Sequence, residues 1–213
     1  MILVDATYIN SFGGKTILEL FIEKVILSKI KYHFILDSRL KSRWIKKINT
    51  NNYTLINPSH INRRNFYLKN LNRFSSILCL SNIPPPVYNS VKTSVFFHNR
   101  LLINPLNHKI SFRNRLINFL KFSYIKYYNK NDYNWIVQTP NVSKLLSESL
   151  NIDSGQISTY PILKEEFGSF DIKKNSNDFV YVSSGVSHKN HARLLKAFIN
   201  AAHKVNKNIT LNL

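Results

Sequence analysis

Residues 1–37 read MILVDATYIN SFGGKTILEL FIEKVILSKI KYHFILD, and this stretch decides the fold class. Ile2-Leu3-Val4-Asp5-Ala6 is an apolar run of strand length. Asn10-Ser11-Phe12-Gly13-Gly14 is turn chemistry. From residue 15 to about 29, Ile17, Leu18, Phe21, Ile22, Val25 and Ile26 recur at the spacing of an amphipathic helix. Tyr32-His33-Phe34-Ile35-Leu36-Asp37 then reads as a second strand. Strand, turn, helix and strand in this order make the opening unit of a parallel α/β sheet.

The alternation continues outward from that unit. A short helix is expected over 40–48, a strand over 53–56, a helix over 63–73 and a strand over 76–80, stopped near Asn82 and Pro84-Pro85-Pro86. Further strands follow at 91–97, 135–139 and 157–161, with a helix over 141–150 that Pro140 opens in its first turn. The strands are nearly continuous apolar runs, as strands covered on both faces should be. The expected fold is therefore α/β, a Rossmann-like parallel sheet with helices on both faces, over residues 1–163. Residues 164–178 are polar and charged, with Gly168 inside them, and read as a linker. From 179 the pattern restarts with a strand at 179–183, a loop at 185–190, a helix from 191 to about 204 and a strand at 209–213. A strand–helix–strand unit cannot bury its own faces, so 179–213 reads as an incomplete second α/β unit.

Composition narrows the function classes. Of 213 residues, 44% are hydrophobic, which is enough for a buried core and argues against intrinsic disorder. A single cysteine, Cys79, excludes an intramolecular disulfide framework and any multi-cysteine metal cluster. No apolar run approaches the ~20 residues that span a bilayer. The N-terminus lacks the basic region of a signal peptide, so a cytoplasmic location is expected, soluble or peripheral on the inner membrane face.

Thirty Lys and Arg stand against 11 Asp and Glu, a formal charge of +19. From 38 to 131 there is no acidic residue, and 17 Lys and Arg fall in that stretch. Such a surface attracts a polyanion, either nucleic acid or an anionic leaflet. An AT-rich coding bias, suggested by 28 asparagines, would produce the same surface without a function. No helix-turn-helix, Cys/His finger or aromatic RNA-binding motif accompanies it, so no specific nucleic acid is expected. Within the acid-free stretch, 112–130 carries Leu116, Ile117, Leu120, Tyr124, Tyr127 and Tyr128 on one helical stripe, with Arg115, Lys121, Lys126 and Lys130 off it. That pattern suits a helix packed on the core first, and the alternative is one lying in a membrane interface, which the acid-free context favours.

Three places can carry chemistry. Gly13-Gly14 stands between a strand and a helix start, where bare backbone and free N–H groups can hold a phosphate or a sugar hydroxyl; it reads equally as a tight turn. His98 ends the run Ser94-Val95-Phe96-Phe97 and precedes Asn99-Arg100. Ligands of parallel sheets gather at such strand ends, although local backbone can also satisfy a histidine there. Lys189-Asn190 closes the loop before the helix of the second unit, where a lysine can pair with a diphosphate.

Residues Phe179–Ser184, His188-Lys189-Asn190-His191 and Leu194-Leu195-Lys196-Ala197-Phe198 together resemble the start of the donor domain in family 4 glycosyltransferases of the GT-B fold. Trp135–Thr139, Ile157–Pro161, Ser94–Arg100 and the Gly13-Gly14 loop resemble features of that family's acceptor domain. The resemblance implies transfer of a sugar from a nucleotide-sugar to a polysaccharide or lipid-linked saccharide, usually with retention, with no metal or other cofactor. It implies that Gly13 and Gly14 lie against donor or acceptor, and that His98 contacts the transferred sugar. Asn99, Arg100 and Asn190 are further substrate-binding candidates. Lys189 would neutralise the departing diphosphate, and an anionic inner-membrane surface would be a partner. Where many members carry Arg, five residues before the lysine, this chain has Ser184. The family's paired glutamates and nucleotide-base site would fall after Leu213, so the expectation is a truncated enzyme that alone is weakly active or inactive. The competing expectations are a basic α/β module that binds nucleic acid and an inactive membrane-docking scaffold.

Overall fold

The computed structural model describes residues 1–10, 12–40, 45–105, 111–130, 132–161, 177–183, 190–205 and 209–212. The chain divides into two compact units, 1–164 and 165–213. In the first, the strands are β1 (Ile2–Ala6), β2 (Tyr32–Asp37), β3 (Tyr53–Ile56), β4 (Ser76–Cys79), β5 (Lys92–Phe97), β6 (Asn134–Val137) and β7 (Ile157–Thr159). Between them lie the helices α1 (Phe12–Leu27), α2 (His60–Asn70), α3 (Phe112–Tyr128) and α4 (Pro140–Leu150).

The strands form one sheet in the order β3-β2-β1-β4-β5-β6-β7, parallel at every pairing. The chain lays β2 and β3 on one side of β1 and then returns to place β4 on the other. Successive connections therefore diverge between β1 and β4, which opens a crevice beyond the carboxyl ends of those two strands. This is a Rossmann-like α/β sheet.

Side-chain alternation along the strands feeds two cores. Leu3, Ile35, Ile77, Val95, Phe97 and Trp135 share one with Phe66 and Tyr67 of α2, Ile125 of α3, and Leu146 and Leu150 of α4. Val4, Phe34, Leu36 and Phe96 share the other with Leu18 and Ile22 of α1. Complete burial of one such side chain is worth roughly 1.5–3 kcal/mol, so both faces of β1 and β2 anchor the sheet.

Local chemistry sets the helix ends. Ser59 caps α2 by accepting the Asn62 N–H at 3.1 Å, so α2 starts three residues before the expected 63. Thr139 accepts the Val142 N–H at 3.3 Å, and Pro140 occupies the first turn of α4. Asn151 closes α4 in a left-handed conformation (φ 53°), which asparagine tolerates well. α1 begins at Phe12 and not at 15, so Gly13 and Gly14 lie in its first turn. Neither adopts positive φ, so Gly13 and Gly14 are helical and do not form the alternative tight turn. Of the helix expected over 40–48, residues 41–44 lie outside the described residues and Ile45–Lys47 is a single 3-10 turn.

The second unit holds β8 (Asp178–Val180), α5 (His191–Val205) and β9 (Thr210–Asn212), with β8 and β9 paired in parallel. The greater part of the expected 164–178 linker lies outside the described residues. Among the described residues no helix is long and apolar enough to cross a membrane.

Candidate functional site

The crevice beyond β1 and β4 is a hollow of about 510 Å³. Tyr8, Ile9 and Asn10 enter it from the loop after β1, Ser81, Asn82 and Ile83 from the loop after β4, and His98, Asn99 and Leu102 from the loop after β5. Gly14 of α1, His60 of α2, and Leu120, Lys121 and Tyr124 of α3 complete the wall. The sheet's divergence creates the space, and loops widely separated in sequence line it.

Three of the expected site residues, Gly14, His98 and Asn99, line this hollow, and the first two meet. A Cβ placed on Gly14 would stand 3.5 Å from Ile9 Cγ2 and 4.0 Å from His98 Nε2, so the missing side chain leaves the imidazole facing open space. Gly13 points elsewhere: a Cβ there meets nothing within 4 Å, and the residue is not part of the wall. Asn99 lines the hollow and also accepts the Leu101 N–H at 3.1 Å, capping a 3-10 turn over Arg100–Leu102. Arg100 is exposed on that turn, outside the wall. Lys189 lies outside the described residues. Asn190 is left-handed (φ 56°), and its carbonyl accepts the Leu194 N–H at 2.9 Å, so it starts α5.

Asn82 organises the centre. Its backbone is left-handed (φ 67°), and its Oδ1 accepts the N–H groups of His98 at 2.7 Å and Asn99 at 2.9 Å. With that oxygen committed, its amide nitrogen faces His98 Nε2 at 3.4 Å and donates. Nε2 then accepts, and the ring proton resides on Nδ1. Nδ1 is buried without a partner, so local backbone does not satisfy this histidine. The ring stacks on Phe96 with centroids 5.3 Å apart. Burial pushes its pKa below the ordinary histidine value, and the site holds a neutral imidazole at neutral pH. Ser81 Oγ, on the same wall, is also buried without a partner.

A polar network underlies the hollow, and the sequence reading does not single it out; the one signal for it is the Asp5 carboxylate inside an apolar strand run. Asp5 Oδ2 accepts from Arg63 Nε and from the Tyr67 hydroxyl, each at 2.7 Å, while Oδ1 accepts from the Thr7 hydroxyl at 2.7 Å. Arg63 Nη1 donates to the Pro84 carbonyl at 2.8 Å and to the Tyr124 hydroxyl at 3.3 Å, and Nη2 donates to the Ile83 carbonyl at 3.4 Å. One guanidinium thus ties β1, the loop after β4, and α3 together. Burial acts to depress the Arg63 pKa, but the Asp5 carboxylate outweighs it and the cation is held firmly charged. Cys79 lies against this network, and burial above all pushes its thiol up to about 12, so it is no nucleophile near neutrality.

Among the described residues no carboxylate or thiol lines the hollow, and no three His, Cys, Asp or Glu side chains converge to hold a metal. The wall offers hydroxyl and amide groups, the aromatic faces of Tyr8 and Tyr124, one lysine and two histidines. Burial, reinforced by Arg63 and Arg64, also lowers the pKa of His60. Such a surface offers hydrogen bonds and stacking to a polar ring, and among the described residues it carries no proton-transfer carboxylate of its own. The chain matches no family model, no curated protein and no solved structure.

Proposed function

We propose that the chain is a glycosyltransferase of GT-B type whose first unit supplies the acceptor-side lobe. It moves a sugar from a nucleotide-sugar to a polysaccharide or lipid-linked saccharide in cell-surface glycan assembly. The observation that carries this reading is the hollow at the β1/β4 divergence, where Gly14 leaves room beside an unsatisfied, neutral His98. Its hydroxyl and amide groups and its aromatic wall suit a saccharide.

In the proposed reaction an acceptor hydroxyl bonds to the anomeric carbon. The anomeric carbon–phosphate oxygen bond breaks, the nucleoside diphosphate leaves with the electron pair, and the hydroxyl proton passes to it. His98 contacts the transferred sugar. Lys189 is assigned to the diphosphate, where negative charge develops as the bond breaks. Ser184 stands where many members carry a second cation, so that charge would rest more heavily on Lys189.

Saturation-transfer NMR on the full chain with a panel of oligosaccharides and nucleotide-sugars tests this. Saturation should reach a saccharide in the presence of the wild-type protein and fall at least about tenfold with Gly14→Leu, which fills the hollow, or with His98→Ala. Equal transfer to all three proteins, or to none, removes the reading.

A further inference from the structure

His98 carries its proton on the less common nitrogen. A free neutral imidazole holds it mainly on Nε2, and in a protein the partner of one nitrogen decides the state of the other. Here Nδ1 is buried without a partner, so nothing on that side of the ring selects the Nδ1–H form. The cause lies at Nε2. Asn82 Oδ1 takes the backbone N–H groups of His98 and Asn99 at 2.7 and 2.9 Å, and a reversed amide would set its NH2 group against both. The amide therefore has one orientation, and its nitrogen stands 3.4 Å from Nε2. A proton on Nε2 would put two donors face to face. Nε2 is also the nitrogen beside the gap that Gly14 leaves, since a Cβ on Gly14 would stand 4.0 Å from it. The titratable groups that line the hollow with His98 are Tyr8, His60, Lys121 and Tyr124. Burial raises the pKa of both tyrosines and lowers that of His60, Lys121 is a cation, and Asp5 beneath the hollow is engaged by Arg63. Among the described residues none of these favours an imidazolium.

We propose that Asn82 is a positioning residue: it holds His98 with a bare Nε2 turned to the hollow, so that the site grips its ligand through a group that donates a hydrogen bond. A hydroxyl is such a group; a ring ether oxygen or a carboxylate is not. The proposal rests on the saccharide reading only for what Nε2 meets, and the state of the ring is a property of the empty protein. Asn82 suits the task in both its halves. Its backbone is left-handed (φ 67°), which asparagine and aspartate tolerate better than other side chains. Its side chain offers an acceptor to the β5 loop and a donor to the imidazole at once, and aspartate would keep the first and lose the second.

Long-range proton–nitrogen NMR of the full chain labelled with [15N]histidine tests this. The chain has seven histidines, and the signals lost in His98→Gln are those of His98. In the wild-type protein at neutral pH, Nδ1 should be protonated and Nε2 bare. Asn82→Asp keeps the acceptor for both backbone N–H groups but sets a carboxylate against Nε2. Its His98 should carry the proton on Nε2, and its titration midpoint should rise by about 1–3 pH units. Asn82→Gly keeps the left-handed backbone without the side chain, and the Nε2–H form should appear in it beside the other; this variant decides the matter where Asn82→Asp does not fold. A merely structural asparagine would lower the thermal melt in both variants and leave the ring as it was. Saturation transfer from the wild-type protein to a saccharide should fade as pH falls through the His98 midpoint, and in Asn82→Asp it should fade at a correspondingly higher pH. The proposal is overturned if Nε2 is protonated in the wild-type protein, if the variants keep the wild-type tautomer and midpoint, or if saccharide binding fades at the same pH in both proteins. A wild-type protein that takes no saccharide removes the proposed function alone, and the tautomers still decide what Asn82 does.

Discussion

Arg63 is the residue on which the hollow's shape turns. Its guanidinium is fully buried and satisfied by Asp5, by two carbonyls of the loop after β4 and by the Tyr124 hydroxyl. Removing one member of a buried pair leaves the other charge stranded in a poor dielectric, which costs about 3–5 kcal/mol. Arg63→Met should lower stability by that amount, and a urea midpoint that does not move would show the pair contributes nothing. His98 adds a pH dependence with a definite sign. Burial depresses the folded-state pKa of His98, and of His33 and His60, below the unfolded value near 6.5. In that window the unfolded chain binds more protons. The three neutral rings therefore contribute stability in full above about pH 6.5, and it is lost as pH falls through their folded values. Urea midpoints on either side of that pH should show the drop, and His98→Asn should make it shallower.

Helix α1 begins on two glycines that differ in role. Gly13 meets open space, and its φ is ordinary, so a side chain there only adds helix propensity. Gly13→Ala should raise stability by about 0.5–1 kcal/mol without altering saccharide binding, checked by thermal melts beside the NMR titration. What the sequence could reveal of such elements was limited by what local pattern encodes. The strands were legible because an apolar run of strand length, closed by turn residues, has few other uses. Their carboxyl ends were drawn too long in several cases: Leu80 and the residues after Val137 leave the sheet to build loops. Helix α3 was legible as a helix but not in its orientation, because apolar residues sit around most of its circumference. Which side faces inward is decided by neighbours such as Ile125's core contacts, not by periodicity. The His98 position was legible as a strand end. The Asn82 clamp was not, since an asparagine before a proline run looks like any loop.

At the scale of the molecule, one pairing pattern sets where everything else goes. The return of the chain across β1 places loops from residues 8, 82 and 98 around one space and brings α3 to its edge. The acid-free middle of the sequence supplies β3 to β5 and α2 and α3, so most of the hollow's wall comes from the same stretch as the basic surface, and residues 8–14 close it.

The central position of β1 also governs how the protein is made. β1 is synthesised before both of its neighbours, and one of them, β4, starts at Ser76. At a synthesis rate of roughly 5–20 residues per second, the growing chain carries an apolar, half-paired edge for several seconds before that partner emerges. Nascent-chain chaperones have their natural target in that interval, and a pause in translation before residue 76 would lengthen the exposure.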